Sequence, residues 1–152
     1  MIELDLNENN QQDVRWKQRF QNFSRAFTLL RSAVESKNID EFSELEQMGI
    51  IQAFECTFEL AWKTLKDYLD ELGAKLSNFA PKTVIKECAA LNIFDEPDID
   101  AQIFIDMVES RNAMSHMYDS AQFQKELVNI NEKYVAELEK LYKFLSPKEK
   151  EE

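Results

Sequence analysis

The residues best suited to chemistry lie in one short run of the chain, Arg111 to Tyr118. The run holds a permanent cation (Arg111), an amide (Asn112), the only imidazole of the chain (His116) and a phenol (Tyr118). Imidazole exchanges protons near neutral pH, and a guanidinium fork binds phosphate. Arg111 and His116 together would suffice for metal-free RNA cleavage. The histidine would move a proton at the 2′-hydroxyl or the leaving oxygen, while the arginine stabilises charge on phosphorus.

Each of these residues also has a structural interpretation. A histidine at a helix end commonly hydrogen-bonds a backbone carbonyl. Asn112 is equally suited to capping a helix and to orienting His116. Tyr118 is either a phenol at the edge of the core or an exposed acceptor for a modifying group. One His116 cannot easily serve as both acid and base, but a symmetric dimer would present two copies across a shared cleft.

The placement of this run relative to helix ends decides whether its side chains can meet. On an unbroken helix, Arg111 and His116 would point about 140° apart, because each residue turns about 100°. A helix that ends near Ser115 removes that constraint and exposes His116 and Tyr118 at a junction.

Composition predicts the elements that carry the run. The chain has 152 residues, 44% of them hydrophobic, with only two glycines and three prolines. So few turn formers disfavour a β fold, and the length fits one domain with a real core. We therefore expect an all-α, antiparallel (up-and-down) bundle of about five helices. We expect a flexible segment at 1–12, a single helical domain at 13–146 and a disordered charged tail at 147–152.

Apolar residues in steps of three and four predict the long helices. The first, from about Asp13 to Ser36, carries Trp16, Phe20, Phe23, Phe27, Leu30 and Val34. The second carries Ile51, Phe54, Phe58, Ala61, Leu65, Tyr68 and Leu72. The last, running to about Leu145, carries Phe123, Leu127, Ile130, Tyr134, Leu138 and Leu141.

Polar and turn-forming residues predict where helices begin and end. Ser43 with Glu46 forms a capping box for the second helix, and Gly73 is the residue that stops it. Pro81 suits the first turn of a third helix, and Asp98 is the expected cap of the fourth. Asp119 with Gln122 resembles a second capping box, at the start of the last helix.

The formal net charge of −11 limits the kinds of partner. Phosphate neutralisation supplies most of the affinity of nucleic-acid binders, so this chain cannot bind RNA or DNA by bulk charge. RNA binding would need a local basic pocket, within one subunit or shared between subunits, and DNA binding is not expected. The acidity would also suit a basic protein partner.

Other features give weaker predictions. Cys56 and Cys88 are interpreted as buried thiols of a reducing compartment, and no apolar run is long enough to cross a membrane, so we expect a cytoplasmic protein. Glu55, Glu59 and Lys63, spaced by four, are more simply a solvated face or ion-pair ladder than a site. The acidic run 95–100 is interpreted as a loop and helix cap. No metal or cofactor is expected.

Two segments carry a resemblance to a known family. The run Arg111–His116 resembles the Arg-x4-6-His motif of the HEPN superfamily. Extended to Tyr118, it resembles the Arg-x4-His-x-Tyr form of HEPN toxins paired with minimal nucleotidyltransferases. The stretches Gly49–Glu55 and Phe58–Lys63 are similar to the signature of the nucleotidyltransferase substrate-binding protein family within that superfamily. The resemblance extends from Trp16 to about Leu145.

The resemblance implies a fold, partners and roles. It implies an antiparallel helical bundle that forms homodimers, places the motifs at a shared cleft and binds a small nucleotidyltransferase. In the toxin branch it implies a metal-independent endoribonuclease, neutralised when the nucleotidyltransferase adds AMP to the motif tyrosine. Arg111 and His116 would then be catalytic, Asn112 supporting and Tyr118 the AMP acceptor, with RNA or a nucleotide in the dimer cleft.

Three functional hypotheses remain open from the sequence. The first is a ribonuclease toxin held in check by its nucleotidyltransferase. The second is a non-catalytic subunit that binds a nucleotide or substrate for that enzyme. The third is a structural adaptor in which Arg111 and His116 are buried and paired internally.

Overall fold

The computed structural model of the chain consists mainly of long helices. It describes residues 2–114 and 120–151, with side chains from Arg15 onward. Within these ranges there is no β-strand, which confirms the predicted all-α bundle. A 3₁₀ turn, Ile39–Glu41, precedes the second helix. The helices are α1 (Ile2–Glu35), α2 (Glu44–Glu71), α3 (Pro81–Ala90), α4 (Ala101–Met114), α5 (Ser120–Asn129) and α6 (Val135–Glu149).

A π-helical segment, Ile130–Tyr134, joins α5 to α6 without a break. The three pieces therefore form one long rod in the place where the sequence predicts a single last helix. Among the described residues, none of the helices combines the length and apolarity that a membrane crossing would require.

Cross-helix contacts show that neighbouring long helices run antiparallel. Between α1 and α6, Gln21 Nε2 donates to Glu149 Oε1 at 3.0 Å, and Arg31 Nη1 lies 3.2 Å from Glu139 Oε1. The residue numbers rise on α1 as they fall on α6. Between α1 and α2, Arg19 pairs with Asp67 near the far end of α2. The up-and-down arrangement therefore follows from the order of these pairs.

The predicted apolar stripes meet in one core. Each fully buried aromatic or aliphatic side chain contributes roughly 1.5–3 kcal/mol to folding. Leu72 is the main exception, since it lies at the end of α2 and is 54% exposed. The most completely buried large side chains are Phe23, Phe27, Phe54, Phe58, Phe104, Leu30, Leu65, Leu69, Ile85, Met107, Leu127 and Ile130.

Several predicted helix ends are confirmed. Ser43 accepts a hydrogen bond from the Glu46 N–H, and the Glu46 carboxylate accepts one from the Ser43 N–H, which completes the capping box. Gly73 has φ +82° directly after the α2 cap, the left-handed geometry that glycine adopts without strain. Pro81 is the first residue of α3.

Other helix ends differ from the prediction. The cap of α4 is Asp100, whose Oδ1 accepts from the Gln102 N–H at 2.9 Å, so the prediction of Asp98 is wrong. Asp98 instead adopts φ 56° in the preceding turn. Buried Glu137 on α6 accepts the Asp100 N–H at 3.1 Å and fixes where α4 begins. The predicted cap Asp119 lies outside the described residues.

The two outer helices are longer than the sequence indicated. α1 begins at Ile2 and not near Asp13, since the mostly polar segment 2–12 includes no glycine or proline to stop a helix. α6 continues through Pro147 to Glu149. Contacts with α1 support this extension, because Lys17 Nζ donates to the Glu151 carbonyl at 2.6 Å.

Candidate functional site

Arg111 lies in the last turn of the described part of α4 and contacts α2. Its Nη1 is 2.6 Å from Glu59 Oε1, and the two side chains are 32% and 33% exposed. The pair is therefore half-buried at the surface, and the Nη1 atom that faces Glu59 is itself buried. It joins the two segments on which the family resemblance depends.

Glu59 is itself held from its own helix. Trp62 Nε1 donates to Glu59 Oε2 at 3.1 Å, and Lys63 Nζ lies 3.7 Å from the same oxygen. One carboxylate oxygen therefore faces Arg111, and the other is occupied by the indole and the ammonium. This arrangement restricts the rotamers of Glu59 and so restricts where Arg111 can lie.

Glu55 adds a second carboxylate to this cluster, one turn earlier on α2. Burial raises the pKa of Glu55; the nearby Arg111 charge lowers it, and the negative Glu59 raises it further. Arg111 is thus opposed by two acidic residues before any substrate arrives. An incoming phosphate would compete with these carboxylates for the guanidinium.

A buried hydrogen bond positions α4 beside this cluster. The hydroxyl oxygens of Ser110 and Tyr134 are 2.6 Å apart, and the Tyr134 hydroxyl donates to the Asp106 carbonyl at 3.4 Å. The Tyr134 ring stacks on Phe54 of α2 at 5.3 Å between centroids. Burial raises the pKa of Tyr134, which therefore remains a neutral phenol. Tyr134 ends the π segment, a feature often found at functional sites.

A buried carboxylate follows on α5. Glu126 is 4% exposed, and its Oε1 accepts from Gln122 Nε2 at 2.8 Å. Its Oε2 is buried and accepts no hydrogen bond from any described residue. Glu126 is close enough to Tyr134 for its charge to raise the pKa of that phenol. No sequence pattern pointed to it, because an acidic residue on an amphipathic helix normally faces solvent.

Glu59 and Lys63 belong to one side of α2 that is not buried in the core, the open face of α2. We use this name for Leu45, Met48, Gln52, Cys56, Glu59, Lys63, Lys66 and Asp70, which recur in steps of three and four and share one side of the helix. Each is exposed or half-buried. The face is apolar or uncharged at its first end and charged from Glu59 onward.

The predicted site residues have different outcomes. Arg111 and Asn112 both lie on α4, Arg111 in the ion pair and Asn112 with an exposed side chain. His116 and Tyr118 lie outside the described residues, so their approach to Arg111 stays a prediction. The Glu59–Lys63 contact of the expected ladder is present, but the sequence did not predict that Glu59 also binds Arg111. The sequence contained one indication of the Arg111–Glu59 pair. Each of the two residues lies in one of the two segments that resemble the family.

The two cysteines also differ. Cys88 is buried as predicted, and burial raises the pKa of its thiol to about 12. Cys56 is exposed on the open face of α2, so the prediction that it is buried is wrong. It falls on the solvent side of an amphipathic helix whose opposite side holds Phe54 and Phe58. Within 2–114 and 120–151, no three His, Cys, Asp or Glu side chains form a group that could hold a metal ion.

The described residues form an all-α helical bundle in which the Arg111–Glu59 ion pair joins α4 to α2. The sequence profile of the family described as "Nucleotidyltransferase substrate binding protein like" matches residues 18–147, and the chain belongs to that family. A solved crystal structure of a protein from Thermus thermophilus is similar, with a TM-score of 0.65 and 24% identity. That match covers 85% of this chain and 99% of the other, and it supports the same fold. No curated protein matches the chain.

Proposed function

We propose that this chain is the helical partner subunit of a minimal nucleotidyltransferase and a metal-independent endoribonuclease of the HEPN type. Membership of the substrate-binding family supports the nucleotidyltransferase partner. The observation that carries the ribonuclease role is the position of Arg111. Glu59, itself held by the Trp62 N–H, pairs with the Arg111 side chain, which is about one third exposed, where the two motif segments meet.

The proposed reaction uses Arg111 and His116 on one phosphodiester. The 2′-hydroxyl oxygen attacks phosphorus, its proton passes to a histidine, and the P–O5′ bond breaks to leave a 2′,3′-cyclic phosphate and a 5′-hydroxyl. A proton from the second histidine of a dimer would neutralise the leaving oxygen. Arg111 would stabilise the negative charge that builds on the phosphoryl oxygens, and Asn112 would support His116.

Homodimer formation, which supplies that second histidine, has support from the open face of α2. Its first end carries Leu45 and Met48, which are 79% and 55% exposed. Val128 of α5 is also exposed, and α5 reaches this end of α2 through a hydrogen bond from Gln124 Nε2 to Gln47 Oε1 at 3.2 Å. An isologous contact of two such ends would cover apolar surface and bring two Arg111 clusters near one cleft.

AMP transfer to Tyr118 would switch the activity off. The tyrosine oxygen would attack the α-phosphorus of ATP and lose its proton, the bond to the β-phosphate would break, and the partner would thereby transfer the adenylyl group and release pyrophosphate. The product adds a bulky anion two residues from His116, where it would compete with RNA phosphate for Arg111.

Co-expression with the nucleotidyltransferase tests the partner and the switch together. We expect a stable complex and a mass gain of one AMP group on the peptide that contains Tyr118, absent in Tyr118→Phe. Expression without the partner should slow growth for wild type but not for His116→Ala. If His116→Ala and wild type are equally harmless and neither cleaves RNA, the ribonuclease role is wrong.

A second candidate is a non-catalytic subunit that binds a nucleotide or substrate for the nucleotidyltransferase. The existing Arg111–Glu59 pair and the net charge of −11 favour it, because both weaken attraction for an RNA backbone. Under this hypothesis, Arg111→Ala abolishes saturable nucleotide binding by the complex, and the purified subunit cleaves no RNA.

A further inference from the structure

A cleft of about 550 Å³ opens beyond the Arg111 cluster, where α2 ends and the following loop turns back toward α1. Arg15, Lys66 and Lys75 line it together with the exposed ring of Phe79, and Asp67 lies among them. None of these residues belongs to the motif run. Three cations in one cleft are unusual in a chain with a net charge of −11. They form the local basic pocket that phosphate binding by such a chain would require.

The charges of the cleft do not cancel. Asp67 is 8% exposed and lies 3.2 Å from Arg19 Nη1, so these two groups neutralise each other. Burial raises the pKa of Asp67, and Arg19, Lys66 and Arg15 act in the opposite direction. With that pair set aside, Arg15, Lys66 and Lys75 face only Asp70 among the lining groups, an excess of two positive charges. No carboxylate of the described residues lies within 4.0 Å of the Lys66 or Lys75 ammonium.

An aromatic wall completes the cleft. The Phe79 side chain is 68% exposed, and Lys66 Nζ lies 4.9 Å from its ring centroid. The loop that carries it is fixed by Asn78, whose Oδ1 accepts from the Ala80 N–H at 2.9 Å and from the Thr83 hydroxyl at 2.7 Å. A large exposed aromatic ring beside cations is the combination that binds a nucleotide base and its phosphate.

The cleft shares a surface with Arg111. Lys66 lies on the open face of α2 seven residues beyond Glu59, which places the two about 10 Å apart along the helix at about 1.5 Å per residue. A stacked nucleic-acid strand advances about 3.4 Å per nucleotide, so this separation corresponds to roughly three nucleotides. A strand bound at Arg111 could therefore reach Phe79.

We propose that this cleft binds a nucleoside phosphate, with the cations on the phosphoryl group and the base stacked on Phe79. The source is either a free nucleotide or a nucleotide of an RNA strand that also occupies Arg111; only the second source rests on the ribonuclease function proposed above. Asp70, the remaining acidic residue of the lining, would repel a second phosphate.

The test measures two probes on the full-length protein. AMP binding is measured by calorimetry. RNA binding is measured by the fluorescence anisotropy of a fluorescein-labelled single strand of about 12 nucleotides, which is longer than the separation of roughly three nucleotides between Arg111 and Phe79. The RNA arm uses a catalytically inactive His116→Ala background. The variants are Lys66→Glu/Lys75→Glu and Phe79→Ala. The matched control is Lys86→Glu/Lys125→Glu, which reverses the charge of two exposed lysines outside the cleft. Circular dichroism confirms that each variant is folded.

We expect Phe79→Ala, which removes one base–aromatic stack, to weaken binding of at least one probe about tenfold. We expect Lys66→Glu/Lys75→Glu to weaken binding of the same probe, and the control to bind as wild type. Loss for RNA alone identifies the cleft as part of an RNA path, and loss for AMP identifies a free-nucleotide site. Wild-type binding of both probes by both cleft variants, or an equal loss in the control, overturns the proposal. Cleft-dependent RNA binding, together with no RNA cleavage by the protein that retains His116, would refute only the ribonuclease function.

Discussion

Arg111 and Glu59 join α4 to α2 through one short ion pair, with Nη1 and Oε1 2.6 Å apart. The pair links the motif run to the second segment of the family resemblance. It also occupies part of the guanidinium that a phosphate would use. Glu59 therefore has two opposed effects, since it orients Arg111 and competes with the substrate for it.

Neutralising Glu59 should favour phosphate binding. Glu59→Gln keeps the shape of the side chain and an oxygen for the Trp62 N–H, but it removes the negative charge beside Arg111. We expect RNA affinity to rise about fivefold, equivalent to about 1 kcal/mol for a partly exposed charge pair. The control is Glu139→Gln, whose partner Arg31 forms a pair of matching exposure on α1 and α6. Unchanged RNA binding by Glu59→Gln would show that the Glu59 charge does not compete with phosphate for Arg111, and weaker binding would show that its orienting effect outweighs the competition.

Removing the Tyr134 hydroxyl should destabilise the bundle. Tyr134→Phe keeps the stacking on Phe54 but deletes the buried hydrogen bond to Ser110. We expect a loss of about 1 kcal/mol in the free energy of unfolding, seen as a fall of roughly 2–4 °C in Tm. Tyr142→Phe is the control, because its hydroxyl makes no hydrogen bond with a described residue. Equal Tm values for Tyr134→Phe and wild type would contradict this role.

The capping box of α2 should make stability depend on pH in acid. Hydrogen bonds from the Ser43 backbone N–H, and then from Lys37, lower the pKa of Glu46 from 4.5 to about 2. A carboxyl with a lowered folded pKa stabilises the fold above its unfolded pKa and loses that effect as pH falls through the folded value. The Tm difference between wild type and Glu46→Gln should therefore be constant above pH 4.5 and shrink between about 4.5 and 2. A difference that does not change with pH would contradict it.

A charge at the apolar end of the open α2 face should block dimerisation. Met48→Glu places a carboxylate where Leu45 and Met48 are exposed together, and burying it in a dimer would cost several kcal/mol. We expect monomers by sedimentation velocity at concentrations where wild type is dimeric. Leu29→Glu, at a 67% exposed position on α1, should leave the dimer intact. A Met48→Glu dimer of wild-type strength would exclude this face as the interface.

The elements that depend on neighbours in sequence were predictable. The stripe of α1, the Ser43–Glu46 capping box, the stop at Gly73 and the start at Pro81 each rest on geometry within a few residues of chain. The π segment was not predictable, because Leu127, Ile130, Tyr134 and Leu138 still recur in steps that fit an ordinary helix.

Two features were missed because a residue distant in sequence decides them. Asp98 and Asp100 are equally good caps by residue type, and Glu137 of α6 decides between them by binding the Asp100 N–H. Likewise, Glu59 has Lys63 as an obvious partner four residues away, while Arg111 is fifty-two residues distant. Only the packing of α4 on α2 brings that second partner within reach.

The most direct measurement is cleavage of single-stranded RNA by purified protein in the presence of a metal chelator. We compare wild type with Arg111→Ala and with Arg31→Ala, which breaks an ion pair of equal exposure far from the motif run. We predict cleavage by wild type and Arg31→Ala, and a loss of at least about a hundredfold in Arg111→Ala. Equal rates for Arg111→Ala and wild type, or no cleavage by any of the three, would contradict a catalytic role for Arg111.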